Sequence, residues 1–276
     1  MCWLCEKAGA PPGVFWYHDP RNFARNLYKR RKPGIKPKGY GEDPEMSLMP
    51  IMKGLIAAKW EDPEHAEQRV KELNDKRDFF NQVLPLKDAI KAAELAYPVA
   101  AMMCICRQQI RADEETNKYE YTCTGLGVGM FKWERWPERY KGGVHFMDAN
   151  EAKDWLIKMD KIGFVHTIMT MGGQYVGGIC NCDYPDCLSI RTRLDYGIED
   201  LLKSHYVALV DYDKCNGCRI CVQRCQFGAI KFEPTINKTN IDMHRCFGCG
   251  LCETACPTGA ITLALRDTIP ALKGVY

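Results

Sequence analysis

The chain has 276 residues and a formal net charge of +3, so it is long enough for two or more domains but has too little charge to indicate a nucleic-acid partner. Its longest apolar runs, such as residues 97–105, are shorter than the roughly 20 residues of a transmembrane helix, so we expect no membrane span. Sixteen cysteines without a secretory signal sequence favour thiols kept reduced in the cytoplasm, and they disfavour disulfides.

The first segment, 1–85, is predicted to be an extended N-terminal arm with a helical extension. The aromatic run at 15–18 (Phe-Trp-Tyr-His) stands before a stretch at 21–38 that holds eight Lys or Arg residues and no acidic residue. Large aromatic side chains are rarely left in water. We therefore expect residues 1–40, with Trp3 among the anchors, to bind a partner subunit and to place the cations at the rim of the contact. The alternative is a solvated basic stretch.

A helix is predicted after this arm. Asp62-Pro63 is typical of a helix start, and the mostly polar segment that follows predicts a helix over about 64–82. Leu84-Pro85 marks the predicted boundary to the next domain.

Cys2 and Cys5 form a C-x₂-C pair, and the next cysteine along the chain is Cys104. An isolated pair of this kind is a weak signal for a metal site. The two residues are either ordinary thiols or ligands of a site that Cys123 and Cys187 complete.

The middle segment, 86–205, is predicted to be an α/β module rich in cysteine. Asp148 and Glu151 form a capping-box pattern, and apolar residues then recur at helical spacing until Gly163, so a helix is predicted there. Residues 88–96 predict a second amphipathic helix, which leads into a short strand.

Six cysteines of this module are candidate metal ligands: Cys104, Cys106, Cys123, Cys180, Cys182 and Cys187. Residues two apart on a strand point to the same face, so each C-x-C pair can aim two thiolates at one centre. We expect an iron-sulfur cluster whose ligands are the two C-x-C pairs: Cys104, Cys106, Cys180 and Cys182. Cys123 and Cys187 are the alternates. A structural zinc ion is one open alternative to the cluster, and unligated, redox-active thiols are another.

The last segment, 206–276, repeats one cysteine pattern twice. The copies are Cys215-x₂-Cys218-x₂-Cys221-x₃-Cys225 and Cys246-x₂-Cys249-x₂-Cys252-x₃-Cys256. This is the spacing of bacterial ferredoxins that bind two [4Fe–4S] clusters. The close triplet can wrap one cubane, but the fourth cysteine lies too far along the chain and ligates the other one. The expected sets are Cys215, Cys218, Cys221 and Cys256 for cluster I, and Cys246, Cys249, Cys252 and Cys225 for cluster II.

Residues about 206–266 resemble a two-cluster bacterial ferredoxin in their flanks as well. Each copy ends in Gly-Ala-Ile and a short apolar strand, at 230–232 and 261–263, and a partner strand precedes each triplet, at 207–210 and 240–242. The resemblance implies a pseudo-twofold α+β fold and one-electron transfer at low potential.

Gln226 departs from the ferredoxin pattern, which has proline after the fourth cysteine. This residue turns the chain and is not a ligand. We therefore expect the change to alter the loop and not the metal.

From about residue 86 to its end, the chain also resembles a group of proteins from anaerobes. In that group a Cys-x-Cys-Arg strand (here 104–107), a helix ending in Gly before Val-His (163–166) and an Ile-Cys-Asn-Cys element (179–182) precede a two-cluster ferredoxin. The resemblance implies a cysteine-rich module coupled to the ferredoxin and leaves its ligand set open. Together with Cys2 and Cys5, the cysteines outside the double motif would suffice for a third and a fourth cluster.

The sequence contains no recognisable catalytic constellation. The glycines at 125, 127 and 129 lack the spacing and the βαβ context of a dinucleotide-binding motif. His166 and His205 are either structural or placed to tune a cluster by hydrogen bonding.

The sequence thus favours an iron-sulfur electron-transfer subunit of an anaerobic multi-subunit oxidoreductase, in the cytoplasm or attached to a membrane complex. The expected partners are a larger redox subunit, a flavin or a molybdenum/tungsten enzyme, and an electron donor or acceptor. A free-standing ferredoxin-like carrier is one alternative. A redox enzyme or sensor that uses the middle cysteine site is the other.

Overall fold

The structure, a computed structural model, describes residues 2–23, 61–75, 81–104, 106–107, 121–127, 129–135, 144–170 and 176–276. Its helices are α1 Trp3–Lys7, α2 Pro63–Asp75, α3 Leu86–Leu95, α4 Met130–Arg135, α5 Ala149–Ile162, α6 Leu188–Tyr196, α7 Ile220–Arg224 and α8 Leu251–Thr254. Its strands are β1 Asn81–Leu84, β2 Val99–Met103, β3 Tyr121–Leu126, β4 Val144–Met147, β5 Val165–Thr170, β6 Val176–Cys182, β7 Leu201–Leu202, β8 Tyr206–Val210, β9 Ile230–Glu233, β10 Lys238–Ile241 and β11 Ile261–Leu265. Helices and strands are mixed along the chain, which agrees with the predicted α+β class.

Seven strands form one sheet in the order β4-β2-β3-β6-β5-β1-β7. Neighbouring strands run antiparallel, apart from the parallel pair of β1 and β7. Helices α3 and α5 pack against each other and on this sheet. We call the sheet and these two helices the sheet module.

The two faces of the sheet bury different side chains. Leu84, Leu156 and Ile179 belong to the core between the sheet and its helices. Val83 and Cys182 belong to a second core on the opposite face, which also holds most of the cysteines of the module. Because side chains alternate along a strand, Cys180 and Cys182 of β6 share this second face, as predicted. We call it the cysteine face.

The predicted helix after Asp148 is confirmed as α5. The Asp148 carboxylate accepts hydrogen bonds from the backbone amides of Asn150 and Glu151, and the Glu151 carboxylate accepts one from the Asp148 amide, so the capping box is complete. Gly163 ends the helix with a φ of 106°. The helix predicted over 88–96 is confirmed as α3.

Two predictions about local structure are wrong. The helix predicted over about 64–82 ends at Asp75 in the described part of the chain, and residues 81–84 form β1 because their side chains are buried within the sheet. The strand expected to carry Cys104 and Cys106 ends at Met103. Cys106 lies beyond it in helical conformation.

Two of the N-terminal aromatic side chains pack within this chain. Trp16 and Tyr17 are fully buried inside this chain. The Trp16 indole donates to the Gln82 side chain at 2.6 Å, and the Tyr17 hydroxyl donates to Asp88 at 3.0 Å. The expectation that Trp16 and Tyr17 anchor a partner is therefore wrong. The basic stretch beyond Phe23 lies outside the described residues.

The C-terminal segment is built from two antiparallel strand pairs, β8 with β11 and β9 with β10. The four strands are those predicted from the double motif, but each strand that precedes a triplet pairs with the apolar strand of the other copy. Gly228 and Gly259, at equivalent positions of the two copies, both have a φ of 62°. The segment thus has the pseudo-twofold arrangement that the resemblance implied.

None of the helices in the part of the chain that the structure describes has the length and apolar character needed to cross a membrane. The division into domains at residues 85 and 205 stays a prediction. However, β1 lies before residue 85 and pairs inside the sheet, and residues 2–23 contribute to the core of the sheet module.

Candidate metal centres

Each cysteine triplet of the double motif lies on a loop that runs into a short helix. Asp211 and Asp242 stand four residues before the first cysteine of each copy. Each carboxylate accepts hydrogen bonds from two backbone amides, at 3.0 to 3.3 Å, and so turns the chain into the loop. The third cysteine of each copy, Cys221 or Cys252, lies in the helix that follows.

The loops turn through left-handed residues at equivalent positions. These are Gly217 and Arg219 in the first copy, with φ of 74° and 65°, and Gly248 and Gly250 in the second, with φ of 69° and 83°. A Cβ atom at Gly248 would collide with the carbonyl oxygen of Tyr206, so glycine is required there for space as well as for conformation.

The two copies enclose two cavities of similar size. The first cavity, about 290 Å³, is lined by Cys215, Cys218 and Cys221 of the first copy and by Cys256 of the second. The second cavity, about 340 Å³, is lined by the remaining four cysteines: Cys225, Cys246, Cys249 and Cys252. Each cavity therefore brings together three cysteines of one copy and the last cysteine of the other. Four thiols that line one cavity are a complete ligand set for a [4Fe–4S] cluster.

Backbone amides point at the cysteine sulfurs. The Ala229 amide donates to Cys225 Sγ and the Ala260 amide donates to Cys256 Sγ, both at 3.3 Å. The Gly248 amide donates to Cys246 Sγ, also at 3.3 Å. Such donors stabilise negative charge on the sulfurs, which favours a thiolate-bound cluster and raises its reduction potential.

The two cavities differ in their exposure to solvent. In the first cavity Cys218 is exposed, whereas Cys246, Cys249 and Cys252 of the second are buried. Burial raises the pKa of each of these three thiols above its ordinary value. Burial also acts to raise the pKa of Cys215, but hydrogen bonds from Thr239 and from the Gly217 amide outweigh it and lower that pKa. A metal that binds in the second cavity therefore has to displace protons that these three thiols hold more tightly than Cys215 holds its proton.

The six cysteines of the sheet module meet on the cysteine face and form what we call the six-cysteine centre. Cys104, Cys123, Cys182 and Cys187 belong to one buried cluster, and Cys106 and Cys180 pack against it. The centre thus contains all four predicted ligands and both alternates.

Charge is unevenly shared among these thiols. Hydrogen bonds from Cys123 and Cys182 lower the pKa of Cys104 well below its ordinary value. Donating these hydrogen bonds to Cys104 raises the pKa of Cys123 and of Cys182. Burial raises the pKa of Cys106.

Arg107 places a buried positive charge beside the six-cysteine centre. Its guanidinium is 4% exposed and pairs with Asp183 and Asp186, each at 2.6 Å. It also donates to Cys182 Sγ at 3.5 Å, and its backbone amide donates to Cys104 Sγ at 3.4 Å. Burial acts to lower the pKa of Arg107, but the surrounding negative groups raise it overall. A permanent cation here suits an anionic metal centre.

Residues 214–260 match the family model described as a 4Fe-4S dicluster domain. This range holds all eight cysteines that line the two cavities. It covers less than a fifth of the 276 residues, so it assigns this part of the chain alone. No curated protein matches the chain.

The dicluster domain packs directly against the cysteine face. Phe227 and Phe247 stack with their ring centroids 4.2 Å apart and an angle of 12° between the ring planes. Both rings lie in the same buried cluster as Cys182, Cys187 and Cys249. The second cavity and the six-cysteine centre are therefore joined by one continuous core.

Gln226 fixes this contact through its side chain. Its amide nitrogen donates to the carbonyl oxygen of Gly163 at 2.5 Å, and its amide oxygen accepts from the Tyr184 backbone amide at 2.8 Å. Both partners belong to the middle segment of the chain. A proline at this position, as in the ferredoxin pattern, could make neither hydrogen bond. The departure at Gln226 therefore has a docking role that its sequence position did not reveal.

Cys2 and Cys5 lie in a different core from Cys123 and Cys187. Their neighbour is His205, whose Nε2 is 3.4 Å from Cys5 Sγ. A hydrogen bond from Cys5 lowers the pKa of Cys2 to about 4, and the same contact with Cys2 raises the pKa of Cys5.

His166 lies on the helix side of the sheet. Its Nδ1 is 2.7 Å from the Asn181 side-chain oxygen, and both residues are fully buried. Burial lowers the pKa of His166. These contacts support the structural role and not the cluster-tuning one.

Sequence reasoning missed several residues that position the centres. Asp211 and Asp242 could have been found, because both copies place Asp at the same offset before the first cysteine. The sequence marks Arg107 only as the last residue of the Cys-x-Cys-Arg motif at 104–107. Arg266 gave no local signal, yet it is fully buried and its guanidinium donates to the carbonyl oxygens of residues 204, 206 and 246.

Proposed function

We propose that this chain is an iron-sulfur electron-transfer protein whose dicluster domain binds two [4Fe–4S] clusters with crossed ligation. The observation that carries the proposal is the lining of the two cavities. Cluster I would take Cys215, Cys218, Cys221 and Cys256, and cluster II would take Cys246, Cys249, Cys252 and Cys225. When bound, such clusters supply transfer of single electrons.

The residues around the cavities suit that role. Backbone amides at 229, 248 and 260 donate to ligand sulfurs and so hold negative charge in place. Cys218 leaves one edge of the first cavity open to solvent, where a redox partner can approach. The stacked rings of Phe227 and Phe247 exclude water between the second cavity and the sheet module.

We propose further that the six-cysteine centre holds a third cluster, with Cys104, Cys106, Cys180 and Cys182 as its main ligands. The convergence of six thiols on one face and the Arg107 N–H groups that donate to Cys104 Sγ and Cys182 Sγ support this proposal. Cys123 and Cys187 are the alternate ligands. A structural zinc ion is the competing occupant.

Buried side-chain clusters join the first cavity to the second, and the second cavity to the six-cysteine centre. This arrangement supports a relay with one end at Cys218 and the other inside the sheet module. We propose that the chain works in this way as a subunit of an anaerobic multi-subunit oxidoreductase, between a flavin or molybdenum/tungsten enzyme and an electron donor or acceptor.

Iron and sulfide analysis of the anaerobically purified full chain tests the number of clusters. Three cubanes give about 12 irons per chain and two give about 8. Replacing Cys104 and Cys182 with alanine should lower the count by about 4 if the third cluster exists. Replacing Cys5 with serine is the matched control and should leave the iron count unchanged. A wild-type count near 8, unchanged by the double replacement, would contradict the third cluster, and a lower count would contradict the two cavities as cluster sites.

A further inference from the structure

Three ligand atoms from distant parts of the chain meet outside the centres described above. Cys2 precedes α1 and Cys5 lies one helical turn further on, so both thiols are on one side of that turn. His205 lies immediately before β8. The two sulfurs and one ring nitrogen of the histidine all lie within 4.8 Å of one another. All three side chains are buried, with 2%, 8% and 5% of their surface exposed.

The histidine ring is held in one orientation. Its Nδ1 is 3.1 Å from the Tyr17 hydroxyl, which itself donates to the Asp88 carboxylate at 3.0 Å. Because the Tyr17 hydrogen is given to Asp88, His205 Nδ1 is the donor to Tyr17. The lone pair of Nε2 is then free to face Cys5 Sγ at 3.4 Å. Metal-binding histidines are commonly oriented in this way by a second hydrogen bond.

Neighbouring side chains also contact the face of the His205 ring and the sulfur of Cys2. Phe15 stacks on the His205 ring at 4.0 Å between centroids. The Gln82 side-chain amide donates to Cys2 Sγ at 3.7 Å. Gln82 is itself fixed by the Trp16 indole at 2.6 Å. The site is therefore built from buried side chains whose positions are set by further hydrogen bonds.

The spacing fits one ion and not a cubane. The sulfurs of two cysteines on one tetrahedral Zn²⁺ lie about 3.8 Å apart, which is compatible with the 4.8 Å within which these ligand atoms lie. The thiols of a cubane bind different irons and are spread around it. Two thiolates and one imidazole are ligands that zinc favours.

We propose that Cys2, Cys5 and His205 bind a single Zn²⁺ ion. The fourth tetrahedral position is left to water or to another ligand. The ion ties the start of α1 to the residue before β8, and so fastens the N-terminal segment beside the dicluster domain. Trp16 and Tyr17, which support the site, then have a role in metal binding as well as in the core.

The test uses the full chain purified anaerobically with its iron in place and then given equimolar Zn²⁺. We expect one zinc per chain, and zinc X-ray absorption should show two sulfurs at about 2.3 Å with at least one nitrogen at about 2.0 Å, the distances typical of zinc bound by cysteine and histidine. Cys5→Ser and His205→Asn should each lose the zinc and keep the iron. His18→Asn is the matched control, because His18 is a neighbour that bonds a backbone carbonyl and is no ligand; it should keep both metals.

Several results would overturn the proposal. The first is zinc that stays bound in Cys5→Ser and in His205→Asn. The second is a wild-type zinc spectrum with sulfur ligands alone, which would locate the ion elsewhere even if the variants failed to fold. The third is a wild-type protein that takes up no zinc, or one whose mass shows a Cys2–Cys5 disulfide after anaerobic purification.

Discussion

Replacing Gln226 with alanine should loosen the dicluster domain from the sheet module without removing a ligand. The substitution deletes the hydrogen bonds to the Gly163 carbonyl and from the Tyr184 amide. Each is worth about 0.5–1.5 kcal/mol net, so the contact should lose about 1–3 kcal/mol. That loss makes local opening about 5-fold to about 140-fold more frequent, since 1.4 kcal/mol is a factor of about ten.

Hydrogen–deuterium exchange of the anaerobic, iron-loaded chain measures this opening at the peptide that contains Tyr184. The Tyr184 backbone amide should exchange faster in Gln226→Ala by the factor given above for local opening. We expect the same increase in Gln226→Pro. Gln223→Ala is the control, because Gln223 is an exposed glutamine on α7. The iron content should match the wild type in all three variants. If exchange at Tyr184 is equal in Gln226→Ala and Gln223→Ala, the docking role of Gln226 is refuted.

Two other substitutions test the surroundings of the sheet module. Arg107→Leu removes the buried guanidinium that pairs with the Asp183 and Asp186 carboxylates, so we expect a loss of about 3–5 kcal/mol, seen as a lower unfolding temperature; a variant as stable as the wild type would contradict the ion pair. Burial raises the pKa of the Asp200 carboxyl to about 7 from its ordinary 3.8. The proton that Asp200 keeps in the folded state therefore stabilises that state at low pH. This stabilisation is lost as the pH rises through about 7. Asp200→Asn should therefore gain stability relative to the wild type as the pH is raised from about 5.5 to about 8, and an equal difference at both values would refute the shift.

Signals that act over a few residues were enough to predict much of the fold. The capping box of Asp148 and the left-handed Gly163 fix α5 by hydrogen bonds within one helix. The positions of the four strands in the dicluster domain follow from two copies of one motif, in which each copy supports the interpretation of the other, but their pairing across the copies was not predicted. The shared face of Cys180 and Cys182 on β6 was expected from their C-x-C spacing. The end of β2 at Met103 was not, because nothing local marks it.

Contacts between distant residues could not be predicted. Trp16 donates a hydrogen bond to Gln82, which is 66 residues away along the chain, and Cys5 Sγ contacts Nε2 of His205, which is 200 residues away. Because the sequence does not indicate these partners, it predicted that the aromatic side chains at 15–18 are exposed and that the Cys2–Cys5 pair is isolated. Gln226 likewise looked like no more than a lost proline, because its partners Gly163 and Tyr184 come from another part of the chain.

Crossed ligation in the dicluster domain is the central claim, and electron paramagnetic resonance of four reduced serine variants tests it most directly. Cys218→Ser and Cys249→Ser mark the signals of the first and second cavities, since each belongs to a close triplet. Cys256→Ser should change the same signal as Cys218→Ser, and Cys225→Ser should change the same signal as Cys249→Ser. If Cys256→Ser instead reproduces the spectrum of Cys249→Ser, each copy ligates its own cluster and crossed ligation is contradicted.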